Sequence, residues 1–523
     1  KKIIMNENKE LNLENLYETF KKYDVDILEK FNNPNLSDWD YLYYAVNSDI
    51  MSNALSIVIN ILDNNFASVG IDNNARAILE AFVILKMLNK GDISEAQQKI
   101  FRKHYAIVEY QDFKAWFKQT NQPVIVNAKK NYDEAMKLLC DYYNCTKKEL
   151  KTRVRYYYDP KMYLKKKLKD NIDFKSLLYK YDIFNEREIK TYEFFSIMIH
   201  PRFNDSSKEE RAIQELRQTH VEFVLLHVAN YLESYKPDFI DKNTYSFKDD
   251  FLKNPLLINN VNNINLVSCG FELLKKDLCV LKNGNDGFLY FYFDTKKSLV
   301  KDMMLCESLG YNEQVISKFK SFVEFSSVHA MINLVENSSE FLTLKRAFAL
   351  SSKLQLIEHF KATGFKNIDS SSELRDLYNS YYKDKYNISS FEDFEQEMRK
   401  DSLYFLNPKD CKNYNKIVKS VINELFQNDF GKEWLNLYEL SKDMNHASGY
   451  NFNSSPGISK FFAHMAIKEV FSWLIHLIIN AKLVVEEKDH KTKYVDKMLD
   501  MFNLIITYEK DTLESIVKEF TES

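Results

Sequence analysis

Residues that break helices or cross-link chains are scarce in this sequence. Its 523 residues include only 10 Gly, 8 Pro, 6 Cys and 4 Trp. So few helix breakers exclude a collagen-like or disordered chain and disfavour an all-β fold, and they favour long helices. The cysteines are too sparse for a disulfide framework, and Cys140 and Cys145 lack the second pair that a zinc site needs.

Long apolar runs and strong net charge are also lacking. The most apolar run, Val470 to Ala481, is shorter than the roughly 20 residues that a transmembrane helix needs, and it contains His476. The first residues are polar, without the apolar core of a signal peptide. A net charge of −3 excludes a wholly basic nucleic-acid binder but leaves a local basic patch open. We therefore expect a cytoplasmic protein with no membrane partner.

One nine-residue stretch occurs twice. Tyr192 to His200 and Tyr438 to His446 carry Tyr, Glu, Met and His at the same four positions. Other fragments recur in the same order: Ile59–Asn64 with Ile332–Asn337, Arg76-Ala77 with Arg346-Ala347, Asp159-Pro160-Lys161 with Asn407-Pro408-Lys409, and Leu225-Leu226-His227 with Leu474-Ile475-His476. This order indicates an internal duplication in a chain too long for a single core.

The fold class that these patterns predict is mainly α, with two tandem related helical-bundle repeats. The repeats are 40–235 and 309–485, and helical segments at 1–39 and 486–523 flank them. The connector at 236–308 holds a predicted β-hairpin, with strands at 278–281 and 288–293 around a Gly-rich turn.

The repeated polar residues are the candidate catalytic residues. They are Arg76, Tyr192, Glu193 and His200 in the first repeat, and Arg346, Tyr438, Glu439 and His446 in the second. Each histidine lies near a predicted helix end, where the helix dipole favours its protonation. Two histidines meeting across an internal two-fold axis could act as base and acid, with the arginines stabilising a phosphorane, in metal-free RNA cleavage. The alternative is that both histidines are helix-end caps or satisfied core groups.

Arg76 has a second interpretation. It lies four residues before Glu80 on a predicted helix that is apolar almost all round, so both side chains share one face. The pair is either a buried structural ion pair or the anchor of a polar site. His227 and His476 lie in very apolar helices and are predicted to be structural. The chain contains no His-Glu-x-x-His, phosphate-loop or Gly-x-Ser-x-Gly motif, so we expect no metal and no cofactor.

The most basic part of the chain lies between Thr146 and Asp170. It contains ten Lys and Arg residues interleaved with tyrosines. Cations can neutralise phosphates and tyrosine rings can stack on unpaired bases. The predicted RNA-binding residues are Lys148, Arg153, Arg155, Tyr157, Lys165, Lys166 and Lys167. The alternative is a solvated helical face whose tyrosines point inward.

An Arg-bearing apolar helix followed by a later helix ending in His resembles the HEPN-like all-helical bacterial proteins of phage-defence and toxin systems. The resemblance implies a helical bundle that acts as a dimer, often as a metal-independent ribonuclease with Arg and His at the shared cleft. Two halves in one chain would supply that dimer. The chain departs from the family's nuclease signature, Arg followed by four to six residues and His, which does not occur in it.

Three functions are compatible with the sequence. The leading hypothesis is a defence or toxin protein that binds or cleaves RNA at a cleft between the halves. The second is a non-enzymatic interaction or sensor protein with a protein partner from a defence system. The third is a small-ligand pocket in which Arg76 and Arg346 bind an anionic group. The sequence leaves the oligomeric state open.

Overall fold

The computed structural model describes residues 13–63, 65–66, 68–116, 123–148, 186–204, 206–235, 287–335, 338–362, 370–409, 413–425 and 430–444, and positions 466, 469 and 470. Every regular element within these ranges is a helix, so the mainly α prediction is confirmed.

The chain before residue 236 contributes seven helices in the described ranges. They are α1 (Leu13–Phe31), α2 (Asp38–Leu62), α3 (Val69–Asn89), α4 (Glu95–Trp116), α5 (Pro123–Tyr143), α6 (Glu186–Met198) and α7 (Ser207–Tyr235). Ser37 and Ser68 are the N-cap residues of α2 and α3. Their side chains accept hydrogen bonds from the backbone N–H groups of Asp40 and Gly70, respectively, and so satisfy one of the unpaired N–H groups at each helix N-terminus. Amphipathic α1 buries Leu13, Leu16 and Phe20, the apolar positions that predict it.

The described ranges after residue 286 contribute nine α-helices and one π-helical turn. They are α8 (Gly287–Ser308), α9 (Asn312–Leu334), α10 (Glu340–Gln355), α11 (Ile357–Ala362), α12 (Ser371–Leu377), the π turn Tyr378–Tyr382, α13 (Lys383–Tyr386), α14 (Phe391–Lys400), α15 (Tyr414–Leu425) and α16 (Phe430–Met444).

Two helical hairpins, α2–α3 and α8–α9, form the centre of the fold and pack against each other. A later helix then covers the second helix of each hairpin: α6 packs on α3, and α16 packs on α9. The approach between the hairpins is closest at Gly70, where a Cβ atom would lie 1.7 Å from Oδ2 of Asp302. Only glycine fits at this position, because any side chain would overlap the neighbouring hairpin.

A buried polar cluster lies between the two hairpins. Lys318 of α9 and Asp302 of α8 form an ion pair at 3.1 Å, and both side chains are fully buried. The Asp302 carboxylate also accepts hydrogen bonds from Asn60 at 2.8 Å and from Ser68 at 2.9 Å, while the Lys318 ammonium donates to Ser56 at 2.9 Å. Burial alone would lower the pKa of Lys318, but Asp302 raises it above its ordinary value, so the ammonium stays charged.

A second buried ion pair attaches α7 to the α2–α3 hairpin. The Arg217 guanidinium donates two parallel hydrogen bonds to the Asp72 carboxylate, at 2.9 and 2.8 Å, and both side chains are fully buried. Two-pronged geometry of this kind fixes the rotation of one helix relative to the other as well as their separation.

Helix α2 is the one helix in the described part of the chain whose length and mean hydropathy of 1.3 would suit a lipid bilayer. However, 83% of its most apolar 18-residue window is buried inside the protein. Its neighbours include α1, α3 and α4, so its apolar surface is covered by other helices.

The predicted strand at 288–293 is wrong, because these residues lie in α8. A short apolar aromatic run suits a buried helix as well as a strand. Here the run forms the first part of a 22-residue helix that packs on α9, α2 and α3. The end of the predicted connector 236–308 is therefore a core helix. The first predicted strand, 278–281, and the C-terminal segment 486–523 lie outside the described residues.

Lys318→Met should lower the free energy of unfolding by about 3–5 kcal/mol, because it leaves the Asp302 carboxylate buried without its counter-ion. Replacing both partners, as Lys318→Met with Asp302→Leu, should recover much of that loss. Urea denaturation of both variants measures the effect, with Lys383→Met at an exposed position as the control. A single variant that loses less than about 1 kcal/mol would contradict the structural role of the pair.

Stability should fall as the pH rises from about 4 to 7, because burial, followed by Glu313, raises the pKa of Asp24 to about 7. The folded protein then holds a proton in this window that the unfolded chain, with an Asp pKa of about 3.9, has lost. Asp24→Asn should therefore be more stable than the parent at pH 8 and close to it at pH 4. Thermal melts across this range test the prediction, with exposed Glu29→Gln as the control.

Candidate functional site

Arg76, Glu80 and Tyr192 form one buried cluster between α3 and α6. The Arg76 guanidinium donates to Glu80 Oε1 at 2.9 Å, and the Tyr192 hydroxyl donates to the same oxygen at 3.3 Å. The side chains of Arg76 and Glu80 are only 12% and 7% exposed. Burial, followed by the charge of Glu80, raises the pKa of Tyr192, so its hydroxyl stays a neutral donor.

Lys320, Glu324 and Tyr438 form a matching cluster between α9 and α16. The Lys320 ammonium lies 3.1 Å from Glu324 Oε2, and the Tyr438 hydroxyl donates to Glu324 Oε1 at 2.8 Å. Burial, followed by Glu324, raises the pKa of Tyr438. Each cluster thus contains a cation, a glutamate four residues later on the same helix, and a tyrosine from a later helix.

Arg346, which sequence analysis matched to Arg76, lies exposed on α10 and takes no part in the second cluster. The cation of that cluster is Lys320. The match of Arg76-Ala77 with Arg346-Ala347 rests on two residues only. A search for a cation and a glutamate four positions apart on an apolar helix would have found Lys320 and Glu324, which sequence analysis missed.

The two predicted glutamates lie elsewhere. Glu193 is half-buried on α6, where its charge acts on His359 of α11. Burial lowers the pKa of His359, and Glu193 opposes that shift. Glu439 pairs with Lys442 at 2.8 Å on α16.

His200 lines a polar cavity of about 440 Å³. Four chain segments that are far apart in sequence form this cavity: the ends of α6, α10 and α14, and the start of α15. The remaining lining residues are Ser196, Ile197, Gln355, Arg399, Lys400, Asp401, Ser402 and Tyr414. The His200 ring stacks on the Tyr414 ring, with centroids 5.4 Å apart and planes at 12°. Helices from before residue 236 and after residue 286 thus meet at this histidine.

The cavity wall carries cations and hydroxyl groups. Arg399 is held by Glu395 at 2.5 Å, and Lys400 reaches Glu397 at 3.4 Å while remaining largely exposed. Asp401 is the carboxylate of the wall, and its Oδ1 accepts the backbone N–H of Leu403 at 2.9 Å.

Tyr414 and Ser402 form a hydrogen bond to each other in the same wall. Burial raises the pKa of Tyr414 well above its ordinary value, so the phenol stays neutral. A wall with exposed cations, neutral hydroxyls and an imidazole suits an anionic ligand such as a phosphate group.

The chain matches no protein-family model, no curated protein and no solved structure.

His446 lies outside the described residues, so its meeting with His200 stays a prediction. Of the predicted RNA-binding residues in the basic run only Lys148 is described, and its side chain is exposed. Arg399, Lys400 and Tyr414 were not predicted from the sequence. They belong to no recurring motif, and only the packing of α14 and α15 near the end of α6 brings them to His200.

No group of three or more potential metal-binding side chains occurs among the residues that the structure describes. The described cysteines, Cys140, Cys145 and Cys306, are free thiols. Cys306 is fully buried beside Lys318, and burial raises its pKa to about 11. Its chemistry is therefore that of an inert core thiol.

Tyr438→Phe should lower the free energy of unfolding by about 1–3 kcal/mol, because buried Glu324 loses a hydrogen-bond donor. Tyr192→Phe should lower the free energy of unfolding by less, because the hydrogen bond from the Tyr192 hydroxyl to Glu80 is longer, at 3.3 Å. Urea denaturation gives both values, and Tyr381→Phe, whose hydroxyl interacts with exposed Lys385 and with the half-buried Tyr386, is the control. A Tyr438→Phe protein as stable as the parent would argue against a structural role for the hydroxyl.

Proposed function

We propose that this protein binds RNA through the His200 cavity and cleaves it by metal-independent acid–base chemistry, as a cytoplasmic HEPN-like member of a bacterial phage-defence or toxin system. The observation that carries the proposal is the position of His200 in a cavity beside Arg399 and Lys400, between helices from the two predicted halves. Arginine and lysine neutralise phosphate oxygens, and a neighbouring imidazole can take or give a proton near neutral pH.

We also infer that the two halves are tandem repeats that act as a fused dimer. Support comes from the matching clusters, since Lys320, Glu324 and Tyr438 follow their counterparts Arg76, Glu80 and Tyr192 by 244, 244 and 246 residues. The helices of the two hairpins are separated by similar numbers of residues: α8 ends 246 residues after α2 ends, and α9 begins 243 residues after α3 begins. The second repeat on this register begins near Gly287 instead of residue 309.

The polar cluster between the hairpins supports the same register. Asn74 donates to Ser56 at 2.7 Å in the first hairpin, and Lys318 pairs with Asp302 at 3.1 Å in the second. Ser56 and Asp302 are 246 residues apart, and Asn74 and Lys318 are 244 apart. Since Lys318 also donates to Ser56, the two equivalent pairs meet at the proposed internal axis.

In the proposed reaction His200 is the proton donor or acceptor, and Lys400 with Arg399 neutralises the phosphate that changes charge. The tandem relation makes His446 the equivalent histidine and therefore the second candidate for proton transfer. Arg76, Tyr192 and Tyr438 have a structural role in this proposal, because their polar groups are held in buried clusters.

The second candidate is a non-enzymatic RNA-binding or interaction protein of a defence system. One observation favours it: four of the eight recurring polar residues form internal ion pairs or hydrogen bonds, namely Arg76, Tyr192, Tyr438 and Glu439. Fewer of the recurring side chains then remain that could act in catalysis. This candidate predicts binding at the His200 cavity without cleavage.

Lys400→Gln should weaken the binding of single-stranded RNA and make its salt dependence shallower by about one counterion, because one phosphate contact is lost. Fluorescence anisotropy at several salt concentrations measures this effect. Lys383→Gln, another exposed lysine in the second half, is the matched control and should bind as the parent does. If all three proteins bind RNA with equal affinity, Lys400 and the cavity it lines do not take part in RNA binding.

His200→Ala and His446→Ala should each reduce RNA cleavage by about 10²-fold or more, while RNA affinity changes little. Product formation on gels and anisotropy with the same oligonucleotide separate the two effects. RNA binding without cleavage by the parent would support the non-enzymatic candidate. Cleavage at the parental rate by the double variant would exclude both histidines as catalysts.

A further inference from the structure

Arg399 also lines a second cavity. It has a volume of about 200 Å³, and Leu354, Ile357 and Leu374 give it an apolar surface. Its polar residues include Lys361, Ser370 and Ser371. Its volume is less than half that of the His200 cavity, and its apolar surface suits a flat apolar group with polar edges.

Arg399 belongs to the walls of both cavities, and Glu395 holds its guanidinium in place at 2.5 Å. Helix α10 also contributes to both, because Leu354 lines the apolar cavity and its neighbour Gln355 lines the polar one. The two cavities are therefore adjacent, and Arg399 contributes to the wall of each. A ligand with an apolar ring and an anionic group a few bonds apart could occupy both at once.

We propose that the two cavities form one nucleotide subsite, in which the apolar cavity takes a base of single-stranded RNA and the His200 cavity takes its phosphate. The inference rests on the proposed function and names the unit of RNA that is recognised. An arginine that lines both cavities suits this ligand, because a guanidinium plane can stack on a base while its N–H groups bind phosphate oxygens. Apolar contact with a base is tolerant of sequence, so recognition would depend on the presence of a base more than on its identity.

The charges around the subsite agree with a singly charged phosphodiester. Arg399, Lys400 and Lys361 are opposed by Glu395 and Asp401 in the two walls, and His200 adds a group that can be protonated. This balance is close to neutral, so Coulomb attraction alone would bind the phosphate weakly. The apolar cavity would then supply a large share of the affinity, and removing the base should weaken binding strongly.

Filling the apolar cavity tests the proposal. Ser371→Trp places a bulky ring at an exposed position of the cavity wall without removing a core residue. Ser372→Trp is the matched control, because Ser372 is exposed on the same turn of α12 and does not line the cavity. Thermal melts establish that each variant folds, and Ser371→Phe repeats the test with a smaller ring.

The probes are a uridine decamer, an abasic decamer of the same length, and uridine monophosphate with ribose 5-phosphate as its base-free counterpart. The parent and Ser372→Trp should bind the uridine decamer roughly tenfold or more tightly than the abasic one, because base contacts of this kind contribute about that much. In Ser371→Trp the ratio should fall to within about twofold. Uridine monophosphate should show the same dependence on its base.

The outcomes separate the subsite from the function on which it rests. If the parent binds both decamers equally well and Lys400→Gln weakens both, RNA binding stands and the nucleotide subsite is refuted. If neither decamer binds but uridine monophosphate does, and Ser371→Trp abolishes that binding, the subsite stands and the RNA function falls. Absence of binding to every probe refutes both.

Discussion

The buried ion pair between Lys318 and Asp302 is the interaction on which the rest of the structure depends. It lies where two helical hairpins meet, and neither charge reaches water, so each requires the other and the hydroxyl and amide groups around them. This requirement fixes the register of α2 and α3 against α8 and α9. It also explains why a glycine, Gly70, lies in the first turn of α3, because that turn packs against the Asp302 carboxylate.

The same device recurs further from the centre. A glutamate on the second helix of each hairpin accepts a hydrogen bond from a tyrosine and pairs with a cation one turn earlier. These clusters attach α6 and α16 to the hairpins, and a fused dimer would carry them at equivalent positions. Residues that recur in a sequence invite a catalytic interpretation. Here the recurring tyrosines instead satisfy buried glutamates, which would otherwise lack a hydrogen-bond donor.

The polar groups that line a cavity lie apart from these buried clusters, where α6, α10, α14 and α15 meet. There His200, Arg399 and Lys400 line a cavity, and Arg399 also lines a smaller apolar one. Because the helices come from both predicted halves, the cavity exists only once the two hairpins have docked. If RNA binds in this cavity, as we propose, its binding would depend on the buried polar cluster even though the RNA does not touch that cluster. The cluster would act by holding the two hairpins together.

The sequence by itself determined the helical class, because scarce Gly and Pro favour long helices. It also singled out Tyr192 and Tyr438, because a motif of four matching residues can be read from the sequence alone. It misassigned residues 288–293, since a short apolar run suits a strand as well as a helix, and it matched Arg346 to Arg76 on two residues alone. The partners of Tyr192 and Tyr438, and the cavity at His200, were decided by tertiary structure. Glu80 and Glu324 are over a hundred residues from their tyrosines, and Tyr414 is more than two hundred from His200, so only packing could bring them together.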